Sequence, residues 1–178
     1  MEARSENEII ARVQAGHAGD FEYLVHRYQR PLFRIVANLV NHSMVEDLVQ
    51  DIFLTVFENI KRFDAGRSTF RTWIYRIARN RALNARKKKR EQLFDEAPVI
   101  ADKRNPSNDL MLKEALACLD RALSKLKFQD RVIFVLAELE ELSYAEIAQI
   151  ENLALGTVKS CLARIRNKLR GALAAYAN

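Results

Sequence analysis

Between Leu142 and Arg170 the chain reads LSYAEIAQIENLALGTVKSCLARIRNKLR, and few folds accommodate this stretch. Ser143 followed three residues later by Glu146 is a capping box, so a short helix starts there with Ile147, Ala148 and Ile150 turned inward. Asn152 tolerates turn geometry, and Gly156 relaxes the backbone where Thr157 is placed to cap a second helix. From Val158 the apolar residues fall at Val158, Leu162, Ile165 and Leu169, one stripe on a helix of about 3.6 residues per turn. Opposite that stripe lie Ser160, Ala163, Arg164, Asn167 and Arg170, with Lys159 and Arg166 on the flanks: a face small at its centre, basic around it and rich in hydrogen-bond donors. Two short helices with that turn and that face describe a helix-turn-helix whose second helix fits a major groove. Small residues allow close approach to base edges there, and Arg, Lys, Ser and Asn reach phosphates or bases. The plainer reading is an amphipathic helical hairpin with a solvated basic face. Order favours the DNA reading, because acids crowd the supporting side (Glu138, Glu140, Glu141, Glu146, Glu151) while the second helix has none.

An all-α fold follows from the rest of the chain: long stretches keep helical periodicity, none sustains period-2 alternation, and 5 glycines and 3 prolines leave few hairpins. A net charge of +6 points to a polyanionic partner without separating nucleic acid from an anionic membrane. With no basic-then-apolar leader and no spanning apolar run, the expected location is the cytoplasm. Cys118 and Cys161 fit a reducing compartment and half-buried helix positions rather than a disulfide.

Taken in order, Ser5 and Glu8 form a capping box for a first helix that Gly16 to Gly19 end, and Asp20 is placed to cap a longer one that Pro31 should kink or restart. Ser43 and Glu46 read as another capping box, opening a helix that packs Val45, Leu48, Val49, Ile52, Phe53, Val56 and Phe57. From Asn41 to Ile60 there are four acids and no Lys or Arg, which suits either a solvated face or docking on a basic protein. Then the sign flips. Lys61 to Arg90 hold twelve basic residues against the single acid Asp64. Phe70, Trp73, Ile74 and Ile77 recur at helical spacing and read as core, leaving Phe63 and Tyr75 as the better stacking platforms for unpaired bases. The expected division is a first domain over 1–90, a linker over 91–108 that contains two prolines, and a second domain over 109–178.

In this order and separation, DLVQDIFLTVF, F-x-x-W-I-Y-R-I-A-R-N, a basic end, a variable linker and L-S-Y-A-E-I-A…G-T-V-K-S…R-I-R resemble the extracytoplasmic-function group of sigma factors in the sigma-70 family. The resemblance covers about Asp20 to Arg170. It implies two helical domains on a flexible linker and a non-catalytic, stress-responsive initiation factor, held by an anti-sigma protein when inactive. Asp47, Leu48, Gln50, Asp51 and Phe53 would dock on the coiled-coil of the polymerase β′ subunit. Phe63, Arg67, Arg71, Tyr75, Arg76 and Asn80 would capture and border the melted minus-ten strand. Thr157, Lys159, Ser160, Ala163, Arg164 and Asn167 would read the minus-thirty-five duplex. Cys161 and Ala163 depart from residues common in the family, so the promoter sequence does not carry over.

Rival readings are a two-domain regulator with a sensing first domain, which leaves the acidic helix and basic block unexplained, and a membrane-surface role for RKKKR. No phosphate-binding glycine loop, H-E-x-x-H or paired-cysteine ligand set speaks for an enzyme, a metal or a cofactor. If Arg164 contacts a base, Arg164→Ala should weaken duplex binding by about 1–3 kcal/mol and relax selectivity at one base pair. Competition binding over a randomised duplex measures this, and uniform weakening over all sequences would reject the role.

Overall fold

The structure, a computed structural model, describes residues 5–92 and 110–174. Among them lie eight α-helices and no strand: α1 (Glu6–Gln14), α2 (Phe21–Ala37), α3 (Val45–Asn59), α4 (Phe70–Gln92), α5 (Leu110–Ser124), α6 (Phe128–Glu138), α7 (Tyr144–Glu151) and α8 (Leu155–Leu173). The α4 helix runs two residues into the expected linker. The remainder of that segment, 93–108, lies outside the described residues.

Two of the expected capping boxes are present with both reciprocal hydrogen bonds, at Ser5 with Glu8 and at Ser143 with Glu146. The others are not. Asp20 lies in a tight turn with helical backbone, and its carboxylate pairs with Arg12 instead of capping α2. Ser43 falls inside the turn His42–Met44, so Met44 precedes α3 and contributes no side-chain cap. α8 begins at Leu155 after the extended Ala154, which places Thr157 in its first turn. Nor does Pro31 break α2, which continues through it to Ala37. A lost backbone bond and ring clash cost roughly 3 kcal/mol or more, and the helix offsets this by burying Leu24, Tyr28, Leu32, Ile35 and Val36.

In the first half α2 packs on α3, and α4 packs on both. In the second, α6, α7 and α8 form the helix-turn-helix and its support, with α5 laid along α8. α7 ends on Asn152 in the left-handed region (φ 53°), where a short polar side chain is tolerated. The predicted stripe Val158, Leu162, Ile165 and Leu169 is buried throughout. Phe57 departs from the expected core of α3: it is 43% exposed, its ring edge-on to Phe21 at 5.1 Å.

The halves are not separate bodies here. One continuous core joins Leu32, Ile52 and Ile74 to Ile133, Leu136, Ile147 and Leu162, and α4 lies against α7 while α2 touches α6. Near this seam Arg131 is 1% exposed. Its Nη2 donates to the Ser124 carbonyl at 2.6 Å, while Nε and Nη1 have no acceptor. Burial, then the neighbouring Arg86 charge, push its guanidinium down to about 10. A buried cation without a counter-charge works against folding. Arg131→Met is therefore expected to raise stability by about 1 kcal/mol or more, read by urea unfolding; a less stable variant would mean that the Ser124 bond outweighs the buried charge.

Candidate nucleic-acid interface

The outward face of α8 is open. Thr157, Lys159, Ser160, Ala163, Arg164 and Asn167 are all exposed. Arg164 is held from the side, donating from Nη2 to Asp130 Oδ1 at 2.8 Å, with Cys161 Sγ 3.6 Å away. Arg166 pairs with Glu138 at 2.7 Å. Cys161 packs partly against the core, as its half-buried place on the helix suggested. Among the described residues no cluster of His, Cys, Asp and Glu could hold a metal ion.

The α3 ridge is also open. Asp47, Gln50 and Asp51 are exposed, whereas Leu48 is buried among the core side chains and Phe53 is half-buried, edge-on to Phe21 at 6.4 Å. Leu48 therefore supports the ridge from beneath and offers no surface in this arrangement. Leu54, 60% exposed, stands one turn beyond Gln50 and Asp51, so the ridge is acidic with an apolar centre. Sequence reasoning passed over Leu54. Its signal was an apolar residue lying off the stripe that packs the core.

The segment between α3 and α4 is built by short-range bonds. Asp64 Oδ1 accepts the Gly66 amide at 2.9 Å, the Thr69 hydroxyl accepts the Thr72 amide at 3.1 Å, and Gln14 donates to the Ile60 and Phe63 carbonyls at 2.9 Å each. Arg67, Arg76 and Asn80 are exposed. Phe63 and Tyr75, the expected stacking platforms, are not. Phe63 is 7% exposed, with Phe70 and Trp73 rings each 5.3 Å from its own, because its carbonyl is tied to α1 and its ring closes the core. Tyr75 is 2% exposed and donates its hydroxyl to Glu140 Oε2 at 3.1 Å. Burial, then the Glu140 charge, hold that phenol far above its ordinary value, so it remains a donor.

What covers α4 is the acidic side of the second half. Arg34 meets Glu140 at 2.5 Å, Arg71 meets Glu146 at 2.8 Å, and Arg79 grips both oxygens of Glu151 at 2.9 and 3.2 Å. Arg86 lies over the Phe128 ring at 5.2 Å and donates to the Leu39 carbonyl. The sequence showed these acids as a crowded supporting side but held no signal for their partners, which stand 65 to 106 residues away in the chain. Burial alone would raise the Glu146 carboxyl, but hydrogen bonds from Arg71 and Ser143 outweigh it and hold it below the ordinary 4.5.

The family model of sigma-70 region 2 matches residues 24–92, and that of sigma-70 region 4 matches 116–169. The chain is 30% identical to the ECF RNA polymerase sigma-E factor of Haemophilus influenzae, over 94% of this chain and 95% of that one. It is 31% identical to the protein of the same name from Escherichia coli K12, over 94% of each. Among solved structures it superposes on CnrH in complex with the cytosolic domain of CnrY (TM-score 0.72, 26% identity, 94% of this chain and 96% of that one). It does so equally on the sigma factor RpoE in complex with the anti-sigma factor NepR from Bartonella quintana (TM-score 0.72, 29% identity, 86% and 96%).

The depressed Glu146 carboxyl fixes the sign of a pH effect. Stability from its contact with Arg71 is fully present above the ordinary 4.5 and is lost as pH falls through the lower folded value. The stability difference between the parent and Glu146→Gln should thus stay constant from neutral pH down to about 5 and shrink only below it, as urea unfolding across pH would record.

Proposed function

Because the chain belongs to the extracytoplasmic-function group of sigma factors in the sigma-70 family, we propose that it binds core RNA polymerase and gives it promoter choice through three surfaces of opposite sign. The α3 ridge, with Asp47, Gln50, Asp51 and the exposed Leu54, docks on a basic coiled-coil of the polymerase. An anionic face with an apolar centre suits such a partner and repels DNA. α8 enters the major groove of the minus-thirty-five duplex with Lys159, Ser160 and Arg164 toward the base edges and Thr157, Ala163 and Asn167 beside them. Arg67, Arg76 and Asn80 border the melted minus-ten strand. Arg71 and Tyr75 join them once the second half has moved away.

The observation that carries this reading is the segregation of charge: the α3 ridge has Asp47 and Asp51 in solvent, and the outward side of α8 carries no acid. Functional modules over 1–90 and 109–178 joined at 91–108 accord with the two family matches. No helix among the described residues is long and apolar enough to cross a membrane. The superposition on the sigma factor RpoE held by the anti-sigma factor NepR supports an anti-sigma partner for this chain as well.

Transcription from genomic fragments with purified core polymerase tests the reading, with promoter-specific initiation as the expected result and its absence on every fragment as the refutation. Asp51→Arg, exposed and outside the core, should leave thermal unfolding unchanged while removing the protein from polymerase pull-downs, since a like charge set against the partner costs several kcal/mol. Undiminished capture would reject the docking ridge.

A further inference from the structure

Arg71, Tyr75 and Arg79 follow one another at four-residue spacing along α4 and form one row of donors. Every member of that row is occupied by a carboxylate of the second half: Arg71 by Glu146, Tyr75 by Glu140, Arg79 by Glu151. Glu140 also takes Arg34 from α2. Arginine forks of this kind receive carboxylates and phosphates in the same geometry, and Arg79 holds Glu151 through two parallel bonds, as it would hold two phosphate oxygens. We propose that the acidic edge Glu140, Glu146 and Glu151 is an internal competitor of the single strand: it takes the strand's place on α4 while the factor is free and yields it on promoter melting.

Three features fit a contact made to be exchanged rather than a permanent interface. The arginines at the rim are half in solvent, with side-chain exposures of 45% for Arg34 and 41% for Arg71, so salt screens these pairs. Arg131, buried near the seam with two unpartnered nitrogens, is set against the like charge of Arg86 from the first half, which works against closure. The faces of α3 and α8 stay exposed in the closed form, so the occlusion is confined to α4. The carboxylates that block the strand lie on the module that approaches the duplex. With α8 open and α4 covered, the closed form takes the duplex without parting, and the strand displaces the acids afterwards. By linkage, strand and closure oppose one another: whatever the acidic edge takes from strand affinity, the strand takes from closure.

This inference rests on the reading of α4 as the strand-bordering helix, and the test separates the two. Full-length protein and the variant E140Q/E146Q/E151Q are titrated with random-sequence single-stranded DNA and with duplex DNA, and their radii of gyration are measured by small-angle scattering. E146Q alone accompanies them, because Gln keeps the capping box with Ser143 and the site is at the rim. The variant should bind the single strand roughly fivefold or more tightly than the parent, with duplex affinity unchanged and a larger radius. E146Q should move the same way by less, and adding single strand to the parent should enlarge its radius. Equal single-strand affinities in all three proteins, whatever their radii, overturn the competitor while leaving α4 as a strand helix. Absence of single-strand binding in all three overturns both.

Discussion

The orientation of the two halves depends on one buried carboxylate. Glu140, just beyond α6, accepts from Arg34 on α2 and from Tyr75 on α4, so three elements distant in sequence meet at one group. An unpaired charge at that depth would be expensive, and its two donors make the burial tolerable. The apolar contacts of the seam supply contact area without direction. Directional bonds to Glu140, joined by those to Glu146 and Glu151 on α7, select which face of the helix-turn-helix turns inward, and hence that α8 turns outward.

Charge sign then organises the molecule at two scales. Across the surface, an acidic ridge on α3 and a basic face on α8 suit partners of opposite character. Across the seam, acids from the second half neutralise arginines of the first. The same residue types thus serve recognition where water reaches them and assembly where it does not. This arrangement is economical for a helical protein, most of whose backbone groups are satisfied within the helices, leaving side chains to carry most of the specificity.

Much of this was legible in the chain. Apolar stripes such as Val158, Leu162, Ile165 and Leu169 are local consequences of helical period, and the capping boxes at Ser5 and Ser143 and the turn at Asn152 are equally local. Ser43, Asp20 and Thr157 misled because capping needs extended backbone at the cap as well as a suitable side chain. In each case a preceding turn or an earlier helix start removed it. Phe63 and Tyr75 are covered in this arrangement for a different reason: an aromatic residue between arginines has the same pattern whether its ring faces a base or a neighbouring helix. What decides is the packing of α1 against the loop and of α7 against α4, and nothing in the local sequence encodes either. The exposure of Lys159, Ser160 and Asn167 on α8 and of Asp47 and Asp51 on α3 was readable because it follows from helical period alone.

The length of α4 has its own consequence. At 23 residues it is a rod of about 34 Å, more than three screening lengths at an ionic strength of 0.1 M. Arg71 near its start and Lys88 near its end stand about 25 Å apart along the rod, more than two screening lengths, so they influence one another little through solution. An anion that engages both must itself extend over that distance, a reach that a polymer has and a small polyanion lacks.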